Sequence, residues 1–161
     1  MDTTTRGKVA VSAEAARVSL LDMTEIQLLR PAGLVASPAF SHVAIVPPGA
    51  TTVYVGGQNA VDEQGKLVGG ADVSAQTQQV MANLVTALQA AGAGVEDLVS
   101  VLVVLVEGVD LNAAYAAAAG ALGAAKAPPL VSAAIVSGLG VPGALVEVSA
   151  IAAMTGRANP V

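Results

Sequence analysis

A chain of 161 residues suits one domain, and with 54% apolar side chains against 12% charged it carries more apolar surface than so small a core can bury alone. The net charge is −5, with seven Lys plus Arg against twelve Asp plus Glu, which argues against binding nucleic acid through clustered cations. Cysteine is absent and His42 is the single histidine, so disulfides, thiol catalysis, thiolate metal sites and a histidine cluster within one chain are excluded.

Residues 1–23 show no periodic pattern and read as a poorly ordered N-terminal extension. Glu14 and Arg17 interrupt any signal-peptide core, so the expected location is cytoplasmic. A single domain is expected over 24–155, with a tail at 156–161. Ile26–Arg30 reads as a short strand ended by Pro31-Ala32-Gly33. Phe40–Val46 is a second strand, closed by Pro47-Pro48-Gly49, and Thr51–Gln58 is a third, joined to it as in a hairpin. A polar, glycine-rich connection follows to Gly70.

Asp72 is placed to cap a helix that Gly92 ends. Val73, Val80, Met81, Leu84, Leu88 and Ala91 fall on one face of it, and Gln76, Gln78, Asn83 and Gln89 on others. Leu98–Val106 is apolar and β-branched almost throughout, as in a strand covered on both sides. Asp110 can cap a second, alanine-rich helix ending near Gly123. Val131–Val136 and Ala144–Ala152 complete the chain as two strands. The uncharged stretch between Ala127 and Val146 is long enough to span a bilayer, but Pro128, Pro129, Gly138, Gly140, Pro142 and Gly143 would break a spanning helix repeatedly, so no membrane partner is expected.

The order is β-β-β-α-β-α-β-β, an α+β arrangement best packed as a mixed sheet with two helices on one face. The other face then stays apolar and needs further chains to cover it. The expected partner is therefore a second copy of the chain, in an obligate oligomer.

Four segments carry a resemblance to a known family over roughly residues 24–153: SPAFSHVAIV from Ser37, VYVGGQNAVDEQGKLVGG from Val53, DVSAQTQQVMANL from Asp72, and PGALVEVSAIA from Pro142. In that order and spacing the chain resembles the RidA/YjgF family. The resemblance implies a chorismate-mutase-like fold, a homotrimer, three clefts at the subunit interfaces that take a small-molecule ligand, and hydrolysis of enamines and imines without a metal or organic cofactor. Carried over, the cleft residues are Phe40, Gly57, Gln58, Tyr115, Leu130, Val131, Ser132 and Glu147. Phe40 falls where the deaminating members have Tyr, and Tyr115 falls near a position often occupied by Asn. After Pro129 those members carry an Arg that clamps the substrate carboxylate; here the position is Leu130 or Val131, depending on a one-residue register choice. An Arg–carboxylate fork contributes roughly 1.5–3 kcal/mol per hydrogen bond, and an aliphatic residue supplies none of it. Lys126 is the cation nearest in sequence, and Arg30 is a more distant substitute.

Glu147 stands within ALVEVSAIA, a strand otherwise apolar or small, where a carboxylate needs a reason to be. It is either a general acid/base, a structural acceptor for backbone N–H groups, or an outward-facing residue on an edge strand. The pair Gly56-Gly57 ends a strand, either as a bulge or as a place where a ligand approaches backbone amides. Ser41, Ser132 and His42 do not make a nucleophile–base pair, Tyr115 is better suited to packing a helix onto the sheet than to the cleft, and no metal site is expected. The sequence thus carries two functional readings: a hydrolase of a small, neutral imine or enamine with Glu147 as acid/base, or a non-catalytic trimer that binds a metabolite or protein clients. The ribonuclease role attached to some relatives is opposed by the chain's acidity and its lack of basic patches.

Overall fold

The computed structural model describes residues 23–123 and 127–156, and within them the strands and helices follow the order expected. The N-terminal extension and the C-terminal tail, apart from Met23 and Gly156, lie outside the described residues, as does Lys126. The elements are β1 (Gln27–Leu29), β2 (Val43–Ile45), β3 (Thr51–Asn59), α1 (Val73–Ala90), β4 (Leu98–Val106), α2 (Leu111–Leu122), β5 (Leu130–Val136) and β6 (Val146–Met154). No helix among the described residues is long and apolar enough to cross a membrane, and the uncharged stretch before Val146 folds as β5 and a turn.

Both helices begin where an Asp side chain takes up free N–H groups. Asp72 Oδ1 accepts from the backbone of Ser74 and Ala75 at 2.8 and 3.2 Å, and Asp110 Oδ1 from Asn112 and Ala113 at 2.9 and 3.1 Å. Gly69 must be glycine for α1 to start there. Its φ is +90°, and a Cβ would lie 2.8 Å from the backbone nitrogen of Gln76.

The main sheet has the order β3-β6-β4-β5, antiparallel except for the parallel β4–β5 pair. α1 packs across β3 and β6, and α2 packs along α1. The core lies between: Val80, Leu84 and Leu88 have no exposure and meet Val101, Val146, Val148 and Ala152 of the sheet. Each such aliphatic side chain contributes about 1.5–3 kcal/mol on burial, which makes the helix–sheet layer the main source of stability. The opposite face of the sheet has no helix on it. Tyr54 is 77% exposed there, Leu102 42% and Ile151 37%.

Two expectations are corrected. The second and third strands do not form a hairpin: β2 pairs with β1, with Leu28 opposite Ala44, and β3 pairs with β6 instead. Pro47 and Pro48 remove two N–H donors where the first rungs of a β2–β3 ladder would form. The second correction concerns Gln76, expected on a face of the first helix other than its apolar one. It is fully buried. Its Nε2 donates to the carbonyls of Gly70 and Gly143 at 2.6 and 2.9 Å, and its Oε1 accepts from Leu145 N at 2.8 Å.

Candidate functional site

Along β6 the side chains alternate, with Val146, Val148, Ala150 and Ala152 buried under the helices. Glu147, Ser149 and Ile151 therefore point to the open face. Glu147 is half-buried there, opposite Val104 of β4 on one side and Asn59 of β3 on the other.

Its position depends on an irregularity in β3. Val55 pairs with Ala150 and Gln58 with Val148, so one extra residue is inserted at Gly56-Gly57. The glycine pair is thus a bulge. Without it Gln58 would stand opposite Glu147; with it Asn59 does, and Gln58 pairs with core residue Val148 while its Nε2 donates to Gly56 O at 3.1 Å. Gly57 lies directly against the carboxylate. A Cβ there would fall 2.6 Å from Glu147 Cδ and Oε1, a distance real atoms do not adopt. Asn59 Nδ2 donates to Glu147 Oε2 at 3.1 Å and also approaches Val146 O at 3.5 Å. Among the described residues the partner of Glu147 is the Asn59 side chain, and no backbone N–H donates to it. Sequence reasoning missed Asn59, and the signal that could have found it is the Gly-Gly pair just before it, which shifts the parity of the strand.

The end of β3 is fastened from α1. Asn83 Nδ2 donates to the carbonyls of Asn59 and Val61, both at 2.9 Å, and its Oδ1 accepts from Gln79 Nε2 at 2.9 Å.

The other expected cleft residues form a second group. Ser41 N donates to Pro129 O at 3.0 Å and Ser41 Oγ to Pro128 O at 2.7 Å, which stitches Phe40 beside the start of β5. Phe40 is half-buried and meets the ring of His42 edge-on, with centroids 5.3 Å apart. By register, Leu130 and Ser132 share the open face with Glu147, whereas Val131 pairs with buried Val101 on the helix side. Leu130 therefore lies on the sheet face that carries Glu147, and Val131 lies on the other face, where it is 38% exposed. Leu130 lies two strands across and four residues along from Glu147, roughly 10 Å by 13 Å at ordinary sheet spacings. Tyr115 stands on α2, 62% exposed, on the far side of the sheet from Glu147. Within one chain the expected residues are split between two places, and Tyr115 joins neither.

Other chemistry is sparse. Ser41 and His42 are each engaged with backbone, His42 Nε2 lying 2.8 Å from Val35 O, so no triad is assembled. No group of three His, Asp or Glu side chains among the described residues could hold a metal. A shallow depression of about 520 Å³ lies at the starts of both helices, lined by Asp72, Ser74, Glu107, Asp110 and Leu145 among others. Two of its three carboxylates serve as helix caps, so it offers less chemistry than the carboxylate over Gly57.

Gly57→Ala is expected to leave folding largely intact, since the atom it strikes is the end of a flexible side chain, but to drive the Glu147 carboxylate from its place. A crystal structure of the variant tests this, and an unmoved carboxylate would show that the glycine is not needed for the approach.

The family model described as Endoribonuclease L-PSP matches residues 32–154. Among solved structures, a member of the Rid protein family from Yersinia pestis is 33% identical, with 82% of this chain and 100% of that one covered and a TM-score of 0.72. A Mycobacterium tuberculosis member of the YjgF family is 27% identical, covers 71% of this chain and 86% of its own, and has a TM-score of 0.54. The YjgF gene product of E. coli is 27% identical over 70% of this chain and 85% of that one, with a TM-score of 0.58. No curated protein sequence matches.

Proposed function

This chain belongs to the RidA/YjgF family, whose model carries the description Endoribonuclease L-PSP, and from that premise we propose that it hydrolyses a small imine or enamine that carries no carboxylate, with Glu147 as general acid/base. The observation that carries the reading is the carboxylate of Glu147, half-buried on an open sheet face, tied at one oxygen by Asn59 and cleared at the other by Gly57. In this reading the carboxylate takes a proton from water as the water oxygen bonds to the imine carbon and the nitrogen takes a proton from solvent. The carbinolamine then loses its C–N bond as the carboxyl returns a proton to nitrogen and the hydroxyl proton passes to solvent, which restores the one taken up. The products are a carbonyl compound and an amine.

The neutral substrate follows from what surrounds the site. Arg30 and Lys66 are the cations among the described residues, both exposed, and neither is hydrogen-bonded to the Glu147 cluster. An anionic substrate would meet a carboxylate without a compensating charge. The same scarcity of cations, seven in the chain, favours a small molecule over RNA, whose backbone is bound by neutralising phosphates.

Three chains closing clefts at their interfaces form part of the proposal. The uncovered face with Tyr54, Leu102 and Ile151 needs burial, and the two separated groups of site residues would meet only across chains. Light scattering on the eluting protein is expected to give three times the 15.7 kDa chain mass; a stable monomer at micromolar concentration would remove the clefts.

Turnover is tested with the imine of benzaldehyde and methylamine beside 2-aminoacrylate. Faster loss of the first than in buffer, with little effect on the second, supports the reading. Saturable binding without turnover supports the non-catalytic alternative.

A further inference from the structure

We infer that Asn59 is a positioning residue that holds Glu147 Oε2, so that Oε1, lying over Gly57, is the atom that exchanges protons with the ligand. The inference deepens the proposed acid/base role of Glu147 and rests on it. Among the described residues, Asn59 supplies the hydrogen bond to this carboxylate, at 3.1 Å, and no donor reaches Oε1.

The amide is oriented by its neighbours. Both groups that face its outer end, Glu147 Oε2 and Val146 O, are acceptors, so that end carries the nitrogen. Asn59 is fixed in turn. Its carbonyl accepts from Val61 N and from Asn83 Nδ2, each at 2.9 Å, and Asn83 spends its remaining acceptor on Gln79. Side chains in the middle of α1 thus hold the backbone of Asn59, whose own side chain holds one oxygen of the carboxylate. The bulge at Gly56-Gly57 is what aims Asn59 across the strand, and the missing side chain at Gly57 leaves the second oxygen uncovered. A Glu on an open sheet face otherwise has three freely rotating bonds. Holding one oxygen and clearing the other gives a defined direction for proton transfer, which such catalysis requires.

The test uses the full chain with Asn59→Leu, which keeps the side-chain size and removes the donor. Crystal structures of wild type and variant give the carboxylate position, and kinetics on the benzaldehyde–methylamine imine give kcat and KM. The expected result is a displaced or multiply placed carboxylate, kcat lower by about 10- to 100-fold and KM changed little, with the circular dichroism spectrum retained. A carboxylate that keeps its place overturns the inference, as does a displaced carboxylate with unchanged kcat. Absence of turnover in wild type overturns the acid/base reading itself, and the role of Asn59 in it falls too; the crystal structures then still show whether the contact governs the carboxylate, so the two failures are distinct. Asn59→Ala, which preserves the backbone contact with Asn83, is read in the same way if Asn59→Leu does not fold.

Discussion

Gln76→Leu is expected to destabilise the helix–sheet layer by about 3 kcal/mol or more. The side chain has no exposure and makes three hydrogen bonds, to Gly70 O, to Gly143 O and from Leu145 N. Leu fills a similar volume but leaves three backbone groups without the partner they have now. Each buried polar group stripped in this way costs about 1–3 kcal/mol, while the added apolar contact returns only part of that. The thermal midpoint is expected to fall by about 10 °C, measured at one protein concentration because subunit association would shift it. Gln76→Glu keeps one acceptor but turns a second oxygen towards two carbonyls, and is expected to be no better. Gln78→Leu serves as the control. Gln78 lies on the same helix but is exposed, and the change there is expected to stay within about 0.5 kcal/mol. Equal effects at the two positions would show that the buried brace contributes nothing.

What could be read from the sequence was local. Asp72 and Asp110 begin α1 and α2 as expected, because a cap needs only the next three residues. Leu98–Val106 is β4 to the residue, since its apolar, β-branched run fits no other element here. The glycine pair does form a bulge. What was not legible depends on partners distant in the chain. Gln76 is polar and falls between apolar positions, and nothing nearby announces that Gly143, 67 residues away, will receive its amide. Register was the other blind spot. A shift of one residue in β3 exchanges which of Gln58 and Asn59 meets Glu147, and the sequence shows the glycines but not the side of the strand on which the extra residue falls. The same parity places Leu130 and Val131, the two alternatives for one position, on opposite faces of β5. Tyr115 illustrates a different limit. Its place on a helix was clear, but the helix lies on the opposite side of the sheet from Glu147, and only contacts between chains could bring the two together.

Glu147→Gln is expected to abolish most of the turnover, by about 10²–10⁴-fold in kcat, with fold and assembly retained. The substitution is close to silent structurally. The amide oxygen of Gln can accept the Asn59 hydrogen bond that Oε2 accepts now, and the size of the side chain beside Gly57 is unchanged. The site is half-buried on an open face, so the new amide group meets no sealed apolar pocket. What the variant loses is the capacity to take a proton from water and return it to nitrogen. Loss of the hydrogen bond alone is examined by Asn59→Leu, and loss of space alone by Gly57→Ala, so Glu147→Gln isolates proton transfer. Wild type and variant are to be compared on the benzaldehyde–methylamine imine over a range of pH, with chain mass and thermal midpoint recorded in parallel. Full activity in a folded variant would remove Glu147 from the chemistry. Unfolding or dissociation would instead make the carboxylate a structural partner of Asn59, and the open face would then lack an acid/base among the residues that meet there.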